Sequence, residues 1–253
     1  IPLCLVGSEM CIRDRSYRTE YGINSINNND ASYLSSIIDS NGEARAFSSA
    51  GSRNSWNFKN LLNYRNTFGK HRLDVLAGVE ASKNTIKVNN IRGTGFSNST
   101  LKTPQDAAVV ESYYNESAKT FLSILGRVNY DFDGKYLLSV TARRDGSSVF
   151  GKNQKWGLFP AVSLGYNISE EPFFDGIKET VNYLKLRASY GVSGNAEIGN
   201  YAWASTYAQA NYNGASGITL ANIGDDELGW ESALQTNIGS VSYTHLTLPT
   251  TLQ

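Results

Sequence analysis

With 253 residues, and 23 Lys and Arg balanced by 23 Asp and Glu, the chain has a formal net charge of zero, which gives no electrostatic basis for nucleic-acid binding. No apolar run approaches the ~18 residues of a membrane helix. A hydrophobic content of 40% and a mean hydropathy of -0.34 fit a membrane barrel as well as a soluble domain, because only alternate residues of a barrel strand meet lipid.

Both cysteines, Cys4 and Cys11, and the single methionine, Met10, fall in the opening IPLCLVGSEMCIRDR, which differs in style from the rest. Residues 1–15 and the closing 241–253, with VSYTHLTLPTT, read as translated adapter read-through, leaving residues 16–240 as the genuine segment. From Ser16 to Ser55 the chain is rich in Asn and Ser and reads as a strand end followed by an exposed loop. A hairpin follows. Trp56, Phe58, Leu62, Tyr64 and Phe68 alternate with polar residues, Gly69-Lys70 forms the turn, and Leu73, Val75, Ala77 and Val79 alternate with Arg72, Asp74, Gly78 and Glu80. Lys83 to Ala118 reads as a long polar connection.

Lys119 to Arg144 forms the strongest hairpin. Leu122, Ile124, Val128, Tyr130 and Phe132 share one parity and Ser123, Arg127, Asn129 and Asp131 the other; Leu138, Val140 and Ala142 face Ser139, Thr141 and Arg143 in the same way on the return arm. Asp133-Gly134 supplies the positive-φ turn residues. Phe121, Leu125 and Leu137 are apolar exceptions on the polar side. Further strands are expected at Trp156–Asn167, Tyr183–Tyr190 and from Trp230 to Ile238, with a medium turn at 168–182 and a long polar stretch from Gly191 to Leu228. Short turns therefore alternate with long loops, the asymmetry of an outer-membrane barrel with its short periplasmic turns. The fold expected is all-β, an antiparallel transmembrane β-barrel fragment of about seven strands. A secreted β-sandwich adhesin or carbohydrate-binding module is the alternative.

Catalysis finds little support, and no cofactor is expected. His71 and His245 are the only histidines, and no nucleophile–base–acid set or metal spacing can be assembled from them. Glu170-Glu171 and Asp225-Asp226-Glu227 read as solvated loop acids, and Gly93-Thr94-Gly95 lacks the context of a phosphate loop. Arg127, Arg143, Asp145, Lys185 and Arg187 are candidate polar residues facing the barrel lumen. They would either meet substrate or bridge strands. For Arg143 and Asp145 the bridging role is favoured, because lumen walls are polar whether or not they bind, and Arg127, Lys185 and Arg187 carry the same expectation. Tyr113, Tyr114, Trp203, Tyr207 and Tyr212 are candidate loop aromatics for a ligand such as a sugar.

Five stretches resemble the barrel of SusC/RagA-type TonB-linked outer-membrane transporters of Bacteroidetes. They are TFGKHRLDVLAGVE (67–80), FDGKYLLSVTARRDGSSVFG (132–151), WGLFPAVSLGYNISEEPFF (156–174), LKLRASYGVSGNAEIGNY (184–201) and LGWESALQTNIG (228–239), in the family's order. The resemblance implies a ~22-stranded barrel with a plugged lumen. It also implies import of large nutrients, oligosaccharides or peptides, with a SusD-like surface lipoprotein, and energy from the TonB–ExbB–ExbD complex acting through an N-terminal part not present here. The expected location is the bacterial outer membrane, with its lipid as a partner and no nucleic acid.

Overall fold

The computed structural model describes residues 5–12, 14–39, 41–98 and 100–244. Nine strands form one sheet in the order β1 (Leu5–Ile12), β2 (Arg15–Leu34), β3 (Arg45–Phe68), β4 (His71–Thr94), β5 (Val109–Phe132), β6 (Tyr136–Ser147), β7 (Trp156–Asn167), β8 (Val181–Asn195) and β11 (Glu231–Thr244). A separate antiparallel hairpin joins β9 (Thr206–Tyr212) to β10 (Ala215–Asn222). Sequence neighbours are sheet neighbours throughout, apart from the β9–β10 excursion. Of the two terminal segments set apart in the sequence, residues 1–4, 13 and 245–253 lie outside the described residues. Val241 to Tyr243 continue β11 against β8.

Two compact units divide the chain. Among the described residues one contains Glu20–Phe58 and Ala81–Thr120, the other 14–19, Lys59–Glu80 and 121–244, so β2 to β5 each contribute to both. The first unit corrects the expectation of loops at Ser16–Ser55 and Lys83–Ala118. Those stretches are mostly strand, and their connections shrink to 35–44 and 95–108. Their polar side chains pair across strands in place of an apolar face. Ser25 donates to Asn54 Oδ1 at 2.6 Å between β2 and β3, Ser49 donates to Asn90 Oδ1 at 2.8 Å between β3 and β4, and Lys87 meets Glu116 at 3.3 Å.

In the second unit the alternation read from the sequence becomes continuous rows. Val128, Val140, Val162 and Tyr190 are successive cross-strand partners from β5 to β8. Tyr130, Leu138, Leu164, Ala188 and Ile238 form the next row, reaching β11. Asn129, Ser139, Ser163, Ser189 and Asn237 form a row on the opposite face. The apolar row stands exposed, with Leu164 at 57% and Ile238 at 86%, and no second sheet covers it among the described residues. A sandwich would bury this face.

The short connections are tied to one another. Asp133 and Gly134 take φ values of 57° and 71°, and the Lys135 amide closes the turn on the Phe132 carbonyl at 2.9 Å. The Asp133 amide donates to the Lys70 carbonyl at 2.7 Å, and the Asn167 amide to the Lys135 carbonyl at 2.8 Å. The connection after β7 holds two 3-10 turns, Ile168–Glu170 and Pro172–Ile177. Glu171, expected to be merely solvated, receives Lys135 Nζ at 3.0 Å and the Tyr136 hydroxyl at 2.8 Å. Tyr136 and Tyr166 stack with centroids 5.1 Å apart, which presents both hydroxyls to that carboxylate.

Two predictions follow the two faces and the turn. In the full-length protein, Leu138→Arg should cost about 2–4 kcal/mol where the strand crosses mid-bilayer, while Ser139→Arg on the opposite face is tolerated; the loss of the heat-modifiable folded band on gels measures both. The hydrogen bond from Lys135, and then that from Tyr136, hold the Glu171 carboxyl below the usual carboxylate range. Its stabilisation is therefore complete above the unfolded value of about 4.3 and disappears as pH falls through the lowered folded value. Melting midpoints of wild type and Glu171→Gln should differ at pH 7 and converge in acid.

Candidate functional site

The polar face of the second unit carries two features, a charged network across four strands and a groove beside it. Lys59 on β3, Glu80 on β4, Ser123 on β5 and Arg143 on β6 all have the parity that turns them away from the apolar rows. Arg143 donates through Nε to both Asp145 oxygens at 2.7 and 2.9 Å, and through Nη2 to Glu80 at 3.0 Å and to Ser123 Oγ at 2.9 Å. Lys59 closes the network on Glu80 at 3.2 Å. Planar, five-donor Arg suits this forked geometry, which point-charge Lys cannot reproduce. Arg143 and Asp145 are thus paired within β6, and Arg143 bridges from there to β4 and β5. Glu80 and Lys59, their partners across the sheet, were not singled out from the sequence.

The groove has a volume of about 680 Å³, and its polar lining includes Arg72, Asp74, Asp131, Ser163, Lys185 and Arg187. Arg72 is 3.7 Å from Asp131, and Asp74 holds Arg65 through Nε and Nη2 at 2.9 and 2.8 Å. Lys185 and Arg187 differ from the bridging role expected of them: among the described residues neither forms an ion pair, and the same holds for exposed Arg127 on β5. Arg127 lies outside the groove's lining.

The candidate aromatics do not converge. Tyr113 and Tyr114 lie within β5, in the first unit, and not on a loop; as neighbours on a strand they point to opposite faces, and Tyr114 donates to Glu116 at 2.8 Å. Trp203 is anchored in the second unit, its Nε1 donating to the Ser148 carbonyl at 3.2 Å. Tyr207 and Tyr212, on β9, are widely exposed, at 68% and 86%.

A different aromatic cluster is the packed one. Trp230 meets Phe150 at 4.6 Å, Phe159 at 5.2 Å and Phe121 at 6.4 Å between ring centroids, and donates Nε1 to the Lys155 carbonyl at 3.1 Å. Phe150 is fully buried and Val149 nearly so, a small core under the loop that follows β6. The Gly151 amide binds the Leu228 carbonyl at 2.8 Å, and Glu227 accepts from Asn153 and Gln154 side chains. The acids Asp225 to Glu227 therefore belong to a loop clasp. Among the described residues no group of His, Cys, Asp and Glu could hold a metal ion. His71 sits by its turn with Nδ1 2.7 Å from the Tyr130 hydroxyl.

Residues 12–252 match the family model described as TonB dependent receptor-like, beta-barrel. The chain belongs to this family. TonB-dependent receptor P39 of Formosa agariphila is 36% identical over 189 residues, covering 72% of this chain and 18% of that receptor. TonB-dependent receptor SusC of Bacteroides thetaiotaomicron is 32% identical over 154 residues, covering 59% and 15%. The structure of the RagAB peptide transporter superposes with a TM-score of 0.86 at 25% identity, over 94% of this chain and 27% of that one. The matched parts span 18% and 15% of the two receptors and 27% of the RagAB chain, so this chain corresponds to only part of each. In this receptor barrel the nine-stranded sheet is a stretch of wall, which removes the sandwich alternative.

The clasp and the network each generate an expectation for the receptor. At Gly151 an added Cβ would run into the Asp226 carbonyl, so Gly151→Ala must displace backbone. Limited proteolysis should then cut near 148–155 or 223–230 in Gly151→Ala while leaving the wild type intact. Arg143→Met should lower stability by about 1–3 kcal/mol by stranding Glu80 and Asp145, and Arg143→Lys should recover only part of it; thermal melts monitored by β-sheet circular dichroism report both.

Proposed function

We propose that this stretch of wall belongs to an active importer in the bacterial outer membrane. Its cargo is a large nutrient, an oligosaccharide or a peptide, taken up with a SusD-like surface lipoprotein and driven by the TonB–ExbB–ExbD complex through the receptor's N-terminal part. The observation that carries the reading is the separation of faces over β5 to β8 and β11, apolar and exposed on one side, hydrogen-bonding on the other. A wall with those two faces separates lipid from a wet lumen. The similarity to the RagAB peptide transporter supports a peptide among the cargoes, and the similarity to the TonB-dependent receptor SusC supports the TonB drive. The protein is a transporter and not an enzyme on this reading, since its polar residues form strand bridges and a groove without a catalytic set.

Within the lumen wall, Lys185 and Arg187 are the groove cations that no carboxylate holds among the described residues, so they are the groups available to carboxylates or hydroxyls of passing cargo. Arg127 adds a third such cation further along the wall. Arg143 and Asp145 keep the strands in place. Tyr207 and Tyr212 offer exposed rings on the β9–β10 hairpin, where cargo first meets the receptor.

Deletion of the gene in its host tests the importer reading. Growth on oligosaccharides or on peptides as sole nutrient should fail for one class, with growth on monosaccharides and amino acids intact; unchanged growth on every large nutrient would overturn it. With the cargo known, the double variant Lys185→Ala, Arg187→Ala should raise the half-saturating cargo concentration about tenfold, the loss of one charged hydrogen bond.

A further inference from the structure

One cation breaks the rule of the apolar face. Arg144 shares the parity of Leu138, Val140 and Ala142, and its cross-strand partners are Ile124 on β5 and Leu158 on β7. The flanking positions of that face are Leu122, Ala142, Trp156 and Pro160, so no carboxylate stands beside it, and among the described residues it forms no ion pair. Its guanidinium lies 5.0 Å from the centre of the Trp156 ring. The ring reaches that position because residue 146 is glycine. A Cβ there would meet Trp156 ring carbons at 2.9 Å. Arg144, Gly146 and Trp156 thus form a built arrangement: the indole fixes one face of the guanidinium, and the in-plane N–H donors stay open.

Its place along the strand sets the ligand. Arg144 is near the end of β6 at Ser147, beside the loop 148–155 and away from the short turn at Asp133-Gly134. In a barrel of this type that end meets the outer leaflet, where an outward Arg carries little of the penalty it has at the midplane. Trp at the same level is an interfacial anchor. We propose that Arg144, stacked on Trp156, binds a phosphate group of the phosphorylated glycolipid that forms the outer leaflet of the outer membrane, with Leu122, Ile124 and Leu158 receiving its acyl chains. Paired N–H donors of an Arg match two phosphate oxygens, and the apolar neighbours supply what a soluble anion could not use. The site rests on the barrel reading above, and adds to it a specific lipid contact.

The test uses the full-length receptor purified in detergent and incubated with phosphorylated or dephosphorylated lipid A, bound lipid being counted by native mass spectrometry. The wild type should retain the phosphorylated form at least about tenfold better than the dephosphorylated one. Arg144→Leu should abolish that preference, and millimolar inorganic phosphate should not displace the lipid. Equal retention of both lipids by the wild type would overturn the proposal without any variant being needed. So would an unchanged preference in folded Arg144→Leu, or displacement by inorganic phosphate, which would mark a free-anion site. Failure of the barrel reading is distinguishable, because the receptor would then bind neither lipid.

Discussion

A strand that crosses hydrocarbon has no water to satisfy its backbone, so each N–H and C=O must find a partner on a neighbouring strand. The lateral register that results governs the rest of this wall. Once Val128 stands opposite Val140, and Val140 opposite Val162, the two-residue period of the strands assigns every other side chain to lipid or lumen. A slip of one residue in β7 would exchange Leu164 with Ser163, and the same slip in β6 would put Arg143 in the bilayer. The charged bridges on the lumen side therefore serve the same end as the backbone ladder. Arg143 reaches Glu80 and Ser123 only in the register that also aligns the apolar rows.

Departures from the two-face rule carry their own physical explanation. Phe121, apolar on the polar side, packs on Trp230 beneath the loop clasp. Leu137 lies over Gly165 and fills room that a missing Cβ leaves on the adjacent strand, while Leu125 rests in van der Waals contact at Gly78, whose Cβ space Leu61 occupies. Residues with the wrong polarity for their face thus sit beside glycine or under a loop, where neighbouring groups cover part of each.

The central hairpin was legible because its signals are local. Asp133-Gly134 is a turn by its own chemistry, and the strand Trp156–Asn167 ends where the alternation ends. The polar strands were hidden for the opposite reason. Residues 24–34 and 83–94 lack a continuous apolar face, and their pairing partners, such as Asn54 for Ser25 and Asn90 for Ser49, are distant in sequence. The β9–β10 hairpin was missed although Asn213-Gly214 announces it, with φ values of 47° and 82°. Its flanks looked like polar loop, and the turn signal was passed over. At the candidate site the Arg143–Asp145 pair could be read from one strand, whereas Glu80 and Lys59 required the register between β3, β4 and β6. That register is a long-range property.

The loop clasp also separates what can change from what cannot. The β9–β10 hairpin is held at its base, where Asn222 donates to the Ala202 and Ala204 carbonyls and Trp203 to that of Ser148, while its outer side chains are largely solvated. Phe150, Gly151 and Trp230 tolerate little substitution, but the residues between Thr206 and Leu220 lie beyond them. New surface chemistry can therefore accumulate on the hairpin at small cost to the folding of the wall, while the membrane-spanning strands stay as they are.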